Sequence, residues 1–260
     1  MRLLKKIFRQ SERTAPAWFP EAPLSPDEPF YAIGDIHGCD RLLDQLLQQI
    51  REDAGTEAPR IICVGDYIDR GDGSRAVLER LRQLQQKHGS ALICLAGNHE
   101  DMLLRFLDQP ESGASWLRNG GLQTLASFGV GLPGGTSGEA LKDISARLAA
   151  AMGPELVTWL RSLPLQWQSG NVAVVHAGAD PGLPVALQSR EVLLWGHPDF
   201  GRKPRSDSAW VIHGHVICGQ VTQAGGCISI DTGAYASGCL SAVHVSADGL
   251  RCLDTRRRLI

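Results

Sequence analysis

Three short apolar runs early in the chain each end in a glycine that is followed by Asp or Asn. The runs are FYAIG, RIICVG and ALICLAG, and the polar residues after them are Asp35, Asp66 and Asn98. Between the runs, RLLDQLLQQIRE and SRAVLERLRQLQQKH have apolar residues three and four positions apart, which predicts helices packed on a sheet. This alternation favours an α/β fold in which polar side chains gather at the carboxyl ends of buried strands.

The later part of the chain returns to strand-like patterns. Four stretches, NVAVVHAG, WVIHGH, CISIDTG and LSAVHV, predict a second sheet. Residues 108–165 are mostly helical in pattern, with glycine breaks, and predict a helical insertion over the site. Residues 1–27 combine a basic start with four prolines and predict a flexible arm, so that residues 28–260 form a single domain.

Composition excludes some classes of function. The 26 basic and 28 acidic side chains nearly balance, which argues against nucleic-acid binding through bulk charge. No apolar run reaches the roughly 20 residues that span a bilayer, and the start lacks the continuous apolar stretch of a secretory signal. We therefore expect no transmembrane segment and a cytoplasmic location. The seven cysteines include no C-x-x-C pair, which indicates reduced thiols.

Five short polar motifs follow the predicted strands. Asp, Asn and His side chains recur in them, and these ligands suit manganese, iron or zinc. In the last motif, strand alternation points both histidines to the same side, so the pattern alone leaves the choice between His213 and His215 open. The motifs are G-D-I-H-G from Gly34, G-D-Y-I-D-R-G from Gly65, G-N-H-E from Gly97, V-H-A-G from Val175 and H-G-H from His213.

This ordered set resembles the calcineurin-like metallophosphoesterase superfamily. Within it, the chain is most similar to the bacterial phosphoprotein phosphatase family, which includes serine/threonine protein phosphatases and diadenosine tetraphosphatases. The likeness covers roughly residues 30–245 and extends to W-L-R-N-G-G-L-Q-T-L-A-S-F-G, L-L-W and I-D-T-G-A-Y. It implies a four-layer αββα sandwich of two mixed sheets with a helical insertion.

The resemblance also implies a reaction centre with two divalent metal ions, manganese first and iron or zinc as alternatives. Asp66 would bridge both ions. His99 would be the general acid, oriented by Asp69, and Arg70 would bind phosphate oxygens. The implied metal ligands are Asp35, His37, Asp66, Asn98, His176 and His215.

One part of the family pattern is missing. The family usually has a second phosphate-binding Arg after the L-L-W segment, whereas this chain reads W-G-H-P-D-F-G-R-K-P-R. His197 stands near the expected position, and Arg202 or Arg205 could substitute for the missing side chain. Further candidate substrate contacts lie in the insertion, although a Trp at helical spacing is more often a core residue: Trp116, Arg118 and Asn119.

Three functions are compatible with this pattern. The leading interpretation is a serine/threonine phosphoprotein phosphatase that uses a hydroxide bridging two metal ions. The alternative is a symmetrical bis(5'-nucleosyl)-tetraphosphatase, whose dinucleoside polyphosphate substrate also requires a nucleoside site; no aromatic cluster is evident in the sequence, but six Trp leave one possible. The third is a non-catalytic binding module, which would be expected to lose a ligand or the pair of His99 and Asp69, and both are present.

Overall fold

A computed structural model describes residues 22–132 and 137–256, in which ten strands form two five-stranded sheets. The strands are β1 Phe30–Ile33, β2 Ile61–Cys63, β3 Leu92–Cys94, β4 Gln166–Ser169, β5 Val172–Val175, β6 Trp210–His213, β7 Thr222–Ala224, β8 Cys227–Ser229, β9 Ser241–Ser246 and β10 Gly249–Asp254. The α-helices are α1 Asp40–Ala54, α2 Ser74–His88, α3 Asn98–Asp108, α4 Gly113–Trp116, α5 Leu122–Ser127, α6 Gly138–Met152, α7 Pro154–Ser162, α8 Arg190–Trp195 and α9 Ala234–Ser237.

The first sheet has the order β10-β9-β1-β2-β3. Strands β1, β2 and β3 are parallel, with Ile33 opposite Cys63 and Cys63 opposite Cys94, whereas β9 is antiparallel to β1. The three parallel strands therefore end at one edge of the sheet, and the loops that follow them lie side by side.

The second sheet has the order β4-β5-β6-β8-β7. Its three central strands, β5, β6 and β8, are parallel, and the edge strands β4 and β7 are antiparallel to their neighbours. Both sheets are thus mixed, which confirms the predicted α/β sandwich of two mixed sheets.

Three apolar clusters separate the layers. Phe30 and Val243 of the first sheet pack against Val174 and Ile212 of the second, which forms the core between the sheets. The outer face of the first sheet packs on α1, α2 and the helices between β3 and β4. A smaller cluster containing Leu193 of α8 covers the outer face of the second sheet. The arrangement is a four-layer αββα sandwich.

One strand lies in a different sheet from the one predicted. LSAVHV was assigned to the second sheet, but it forms β9, which pairs with β1 in the first sheet. A short buried strand presents apolar side chains to either sheet equally well, so its pattern does not specify a partner. Strands β4, β7 and β10 were not predicted, because their residues are largely half-buried or exposed.

Part of the predicted arm contacts the second sheet. Residues 1–21 lie outside the described residues, whereas residues 22–27 run along the turn between β4 and β5. Ser25 N donates a hydrogen bond to Asn171 Oδ1 (2.7 Å), and Asn171 Nδ2 donates to Pro23 O (2.9 Å). Leu24 is buried in the core between the sheets.

The described helices are short. The longest three, α1, α2 and α6, have 15 residues each. Across residues 22–132 and 137–256, no helix combines the length and apolar character that crossing a bilayer requires. A cytoplasmic location stays a prediction.

Candidate metal centre

Asp66 lies at the centre of a buried group of polar side chains at the carboxyl ends of the strands. Its Oδ2 is 3.6 Å from His37 Nε2, and its Oδ1 is 3.4 Å from His176 Nε2. Two groups of three potential ligands share this carboxylate, and within each group the ligand atoms lie within 4.8 Å of one another. The groups are His37, Asp66 and His99, and Asp66, His176 and His215.

The histidine rings are oriented by backbone carbonyl groups. His37 Nδ1 hydrogen bonds to Ile68 O (2.8 Å), and His176 Nδ1 hydrogen bonds to Val64 O (3.1 Å). When Nδ1 carries the proton, Nε2 presents its lone pair to the centre, as a metal-ligating imidazole does. Burial lowers the pKa of His37 to about 3 and that of His215 to about 4, so both rings are neutral at pH 7.

Asn98 brings its amide oxygen into the second group. Asn98 Oδ1 is 2.8 Å from His176 Nε2 and 2.9 Å from His215 Nδ1. When the Nδ1 proton of His176 is donated to Val64 O, the lone pair of Nε2 faces an oxygen that is itself an acceptor. Convergence of electron-pair donors without a proton between them fits a cation site.

Asp35 adds a second buried carboxylate. Its Oδ2 accepts a hydrogen bond from His215 N (3.0 Å), but Oδ1 accepts none from any described residue. Gly214 makes the approach possible, because a Cβ there would lie 1.8 Å from Asp35 Oδ1. Burial, with Asp231 and Asp66 adding to it, raises the pKa of Asp35 well above its usual value. A buried carboxylate with an unpaired oxygen, next to the Asp66 carboxylate, fits a site for positive charge.

Asp231 is a member of this cluster that the sequence interpretation did not assign. It is buried, one of its oxygens accepts no hydrogen bond from a described residue, and burial raises its pKa to about 6. The I-D-T-G-A-Y motif contained the signal, because its Asp follows β8 just as Asp35 and Asp66 follow their strands.

His99 and Asp69 form a buried pair beside Asp66. His99 Nδ1 hydrogen bonds to Asp69 Oδ2 at 2.6 Å, and His99 Nε2 lies 3.8 Å from Asp66 Oδ2. Burial opposes protonation of His99, but the Asp66 and Asp69 carboxylates outweigh it and raise the pKa of the imidazole. The geometry therefore favours a protonated ring whose Nε2 points at the centre.

The predicted insertion holds Asp69 in place. Trp116 Nε1 donates a hydrogen bond to Asp69 Oδ2 (2.9 Å), and Thr124 Oγ1 donates one to Asp69 Oδ1 (2.6 Å). Trp116 is only 1% exposed, so it is the core residue that its helical spacing favours and not a substrate contact. Its indole instead orients the carboxylate that orients His99.

Arg70 supplies a cation at the same place. Its Nη1 is 3.1 Å from His37 Nε2, and its guanidinium lies 4.9 Å from the centre of the Tyr235 ring. Its backbone N–H donates to Gly120 O (3.2 Å), which fixes the loop against the insertion. A planar donor group in this position can bind phosphate oxygens.

Unusual backbone conformations concentrate in the motifs. Six non-glycine residues in the described part of the chain have positive φ, and five of them belong to the predicted site. Such conformations are costly for L-residues and cluster at functional sites. The five are His37, Asp66, Asp69, Arg70 and His215.

Glu100 is a positioning residue that the sequence interpretation missed. Its carboxylate accepts backbone hydrogen bonds from Asp66 (2.9 Å), Tyr67 (2.8 Å) and Gly97 (2.9 Å), which ties the second and third motif loops together. Burial raises its pKa to about 7. The available signal was its place at the third position of α3, where Glu commonly closes a capping box.

Other candidate residues lie outside the two ligand groups. His213 is buried, with Nε2 hydrogen bonded to Ser229 Oγ (2.8 Å) and Nδ1 near Gly214 O (3.0 Å). Arg205 cannot substitute for the missing Arg, because its buried guanidinium is engaged by Asp207 and by backbone carbonyls.

The remaining predicted substrate contacts are at the surface or half-buried. His197 Nε2 lies 3.9 Å from Asp180, and Asn119 Nδ2 donates to Ser115 O (2.9 Å). Arg118 and Arg202 are exposed, and neither makes an ion pair with another described residue. Their role in substrate binding stays a prediction.

Comparison with solved structures supports the fold. A protein serine/threonine phosphatase from Saccharomyces cerevisiae superposes with a TM-score of 0.57 at 18% identity, covering 90% of this chain and 82% of the other. At this identity the likeness concerns the fold alone.

Curated relatives share more of the sequence. Symmetrical bis(5'-nucleosyl)-tetraphosphatases from Aromatoleum aromaticum and a Janthinobacterium species are each 34% identical, over 62% and 58% of this chain. These alignments cover 50% and 44% of the relatives, so the chain spans about half their length. Their names agree with the tetraphosphatase alternative better than with the leading serine/threonine phosphatase interpretation.

The sequence model of calcineurin-like phosphoesterases matches residues 28–218, which contain all five motifs in full. The match covers most of the chain and includes every predicted metal ligand. The chain belongs to the calcineurin-like phosphoesterase family.

Proposed function

We propose that this protein is a metal-dependent hydrolase that cleaves dinucleoside tetraphosphates symmetrically. The observation that carries the chemistry is the pair of ligand groups sharing Asp66, with the His99–Asp69 pair beside them. The substrate class is supported by the names of the curated relatives at 34% identity. A phosphoprotein substrate lacks comparable support.

Six side chains would hold the ions. We propose manganese as the metal, because the mixture of carboxylate, amide and imidazole donors suits it. When bound, two divalent ions would neutralise phosphate charge and make a water acidic enough to attack phosphorus near neutral pH. The proposed ligands are Asp35, His37, Asp66, Asn98, His176 and His215.

The protein's own side chains would bind the phosphates and move one proton. Arg70 would donate hydrogen bonds to oxygens of the phosphoryl group under attack. His99 would give its Nε2 proton to the oxygen of the departing phosphate, while its Nδ1–H stays hydrogen bonded to Asp69. Water adds to one of the middle phosphorus atoms, the central P–O bond breaks, and two nucleoside diphosphates result.

A comparison of substrates tests this function. Purified protein supplied with manganese would be assayed with diadenosine tetraphosphate and with a phosphoserine peptide, with kcat/KM as the measure. We expect the tetraphosphate to be preferred by at least tenfold, and chromatography to give adenosine diphosphate as the only nucleotide product.

Two results would contradict the proposal. Preference for the peptide would support the serine/threonine phosphatase interpretation instead. The absence of manganese-stimulated turnover with either substrate and with p-nitrophenyl phosphate would support a non-catalytic module.

A further inference from the structure

Exposed apolar side chains border the candidate metal centre. Eight large hydrophobic residues are exposed in the described part of the chain, and four of them adjoin metal-site residues. Single exposed apolar residues are ordinary at a protein surface, but a group beside a reaction centre marks a binding surface. We call this group the apolar rim, and it consists of Trp195, Val216, Ile217 and Tyr235.

Tyr235 forms one end of the apolar rim. Its ring centre lies 5.3 Å from that of His37, at an interplanar angle of 84°, and the Arg70 guanidinium lies 4.9 Å from it. The side chain nevertheless remains 38% exposed. One part of the ring therefore packs on the site, and the rest is accessible to a ligand held by Arg70.

Trp195 forms the other end. It is the last residue of α8, and its ring centre lies 6.4 Å from that of His215. The backbone of α8 is fixed to the loop that carries His176, because Ala177 N donates to Leu193 O (2.8 Å). The indole is 44% exposed although it lies beside the metal-site residue His215.

Val216 and Ile217 connect the two ends. They directly follow His215 and are 59% and 50% exposed. The Ile217 side chain packs on Gly233, where a Cβ would lie 3.1 Å from it, and Gly233 is two residues from Tyr235. The apolar rim is therefore continuous with the phosphate-binding side of the site.

We propose that Trp195 and Tyr235 bind the nucleoside of a nucleoside polyphosphate by stacking on its base. This inference rests on the proposed function. It assigns residues to the nucleoside, whereas the metal ligands and Arg70 are assigned to the phosphates. A flat purine covers exposed aromatic surface, and its phosphates extend toward cations. Tyr235 and Arg70 offer these two surfaces side by side, and the rest of the apolar rim extends the apolar surface.

Inhibition of p-nitrophenyl phosphate hydrolysis provides the test, because it does not require turnover of a nucleotide. Adenosine diphosphate and methyl diphosphate carry the same diphosphate group, and only the first has a base. We expect Tyr235→Ala and Trp195→Ala each to raise the inhibition constant of adenosine diphosphate about 5- to 100-fold. The constant for methyl diphosphate should change less than about twofold.

Conservative and remote variants complete the design. Tyr235→Phe and Trp195→Phe keep an aromatic face and should restore adenosine diphosphate binding to within about threefold of the unchanged protein. Leu187→Ala removes an even more exposed apolar side chain outside the apolar rim and should have no effect on either inhibitor. Equal changes for both diphosphates, or no change in the alanine variants, would overturn the inference.

The same assays separate this inference from the proposed function. A protein that does not hydrolyse diadenosine tetraphosphate, but whose affinity for adenosine diphosphate depends on Trp195 and Tyr235, would refute the function and support the inference. If the protein hydrolyses the tetraphosphate, but neither alanine variant changes the inhibition constant of adenosine diphosphate, the function would be supported and the inference refuted. Preferential loss of phosphopeptide turnover in these variants would assign the apolar rim to a protein substrate and overturn the inference.

Discussion

The side chains of the candidate centre are held by contacts that the rest of the fold provides. His37 and His176 are oriented by backbone carbonyls, and Asp69 is oriented by the insertion. Each motif therefore needs only one or two chemical groups, because the strand ends fix their positions. This explains why short and widely separated motifs can build one site.

His99→Asn should remove the proposed general acid and leave the proposed metal ligands in place. An asparagine cannot deliver the proton, and a serine alkoxide needs that proton more than a departing phosphate, whose last pKa is about 6. We expect the rate with a phosphoserine peptide to fall at least tenfold more than the rate with diadenosine tetraphosphate. Steady-state kinetics and metal analysis of the same sample would measure this. Equal losses with both substrates would argue against an acid role.

Asp53 lies outside the candidate metal centre, and we expect it to make a pH-dependent contribution to the free energy of unfolding. It accepts two hydrogen bonds from Arg251 (2.7 and 2.8 Å) and one from Tyr31 (2.6 Å). The pKa of Asp53 is lowered to about 2, mainly by the hydrogen bonds from the Arg251 guanidinium. A carboxylate whose pKa is lower in the folded state stabilises the protein at pH values above about 3.9, the pKa of Asp in the unfolded chain. This stabilisation is lost as the pH falls toward 2.

Denaturant unfolding of Asp53→Asn checks this expectation. Because Arg251 is 57% exposed, solvent screening limits the loss to about 1 kcal/mol at pH 7. The difference from the unchanged protein should shrink below about pH 4. Asp248→Asn serves as the control, since this exposed carboxylate has no ion pair among the described residues. A difference that is constant with pH would contradict the assignment.

At the scale of elements, sequence periodicity was a good guide to helices and buried strands. The pattern SRAVLERLRQLQQKH predicted α2, which runs from Ser74 to His88, and the three early apolar runs became β1, β2 and β3. The strand ends then placed the motif residues together, since parallel neighbours end at one edge. Prediction succeeded where a local pattern determined local structure.

Contacts between distant elements were not predictable in the same way. The hydrogen bond from Trp116 to Asp69 joins residues 47 positions apart, and Trp116 has the spacing of an ordinary core residue. The apolar rim combines the end of α8 with the loop after β6 and the short helix α9. Sequence periodicity does not predict such tertiary contacts, because they depend on how whole elements pack.

The short π-helix Leu117–Gly121 is the element that positions Arg70, because Gly120 O accepts a hydrogen bond from Arg70 N. Gly120 has φ of 109°, and a Cβ there would lie 2.7 Å from Arg70 N. Gly120→Ala should therefore displace Arg70 and lower kcat/KM for diadenosine tetraphosphate at least tenfold.

Gly129→Ala is the matched control. Gly129 also has positive φ (71°), but no atom lies within 4 Å of a Cβ built there. Gly129→Ala should lose about 1 to 2 kcal/mol of stability from backbone strain alone, and Gly120→Ala should lose more because its methyl group also meets Arg70, as measured by thermal unfolding. Only the Gly120 variant should lose activity, and similar kinetics in both would show that this contact does not position Arg70.

At the scale of the whole molecule, the order of strands could not be derived from the sequence. Strand β9 lies beside β1 although about 210 residues separate them, and β10 extends the same sheet with half-buried residues. Buried strands of similar composition can exchange partners without changing their patterns. Long-range packing decides sheet membership, and the family resemblance supplied this architecture where the residues alone did not.

The contacts of segment 22–27 predict how far the chain can be shortened from its N-terminal side without loss of stability. Leu24 is buried between the sheets, and Trp210 Nε1 donates a hydrogen bond to Ala22 O (2.7 Å). Deletion of residues 1–27 removes these contacts, whereas deletion of residues 1–21 keeps them. We expect the longer deletion to lower Tm by at least about 4 °C relative to the shorter one, because burial of one leucine contributes about 2 kcal/mol. Equal Tm values in calorimetry would contradict a structural role for this segment.

We propose that Asp66 joins two metal sites built from motifs far apart in the chain. Anomalous diffraction at the manganese absorption edge, from crystals grown with manganese, would locate the ions. We expect two peaks that share the Asp66 carboxylate, one beside His37 and the other beside His176 and His215. A single peak, or peaks away from Asp66, would contradict this proposal.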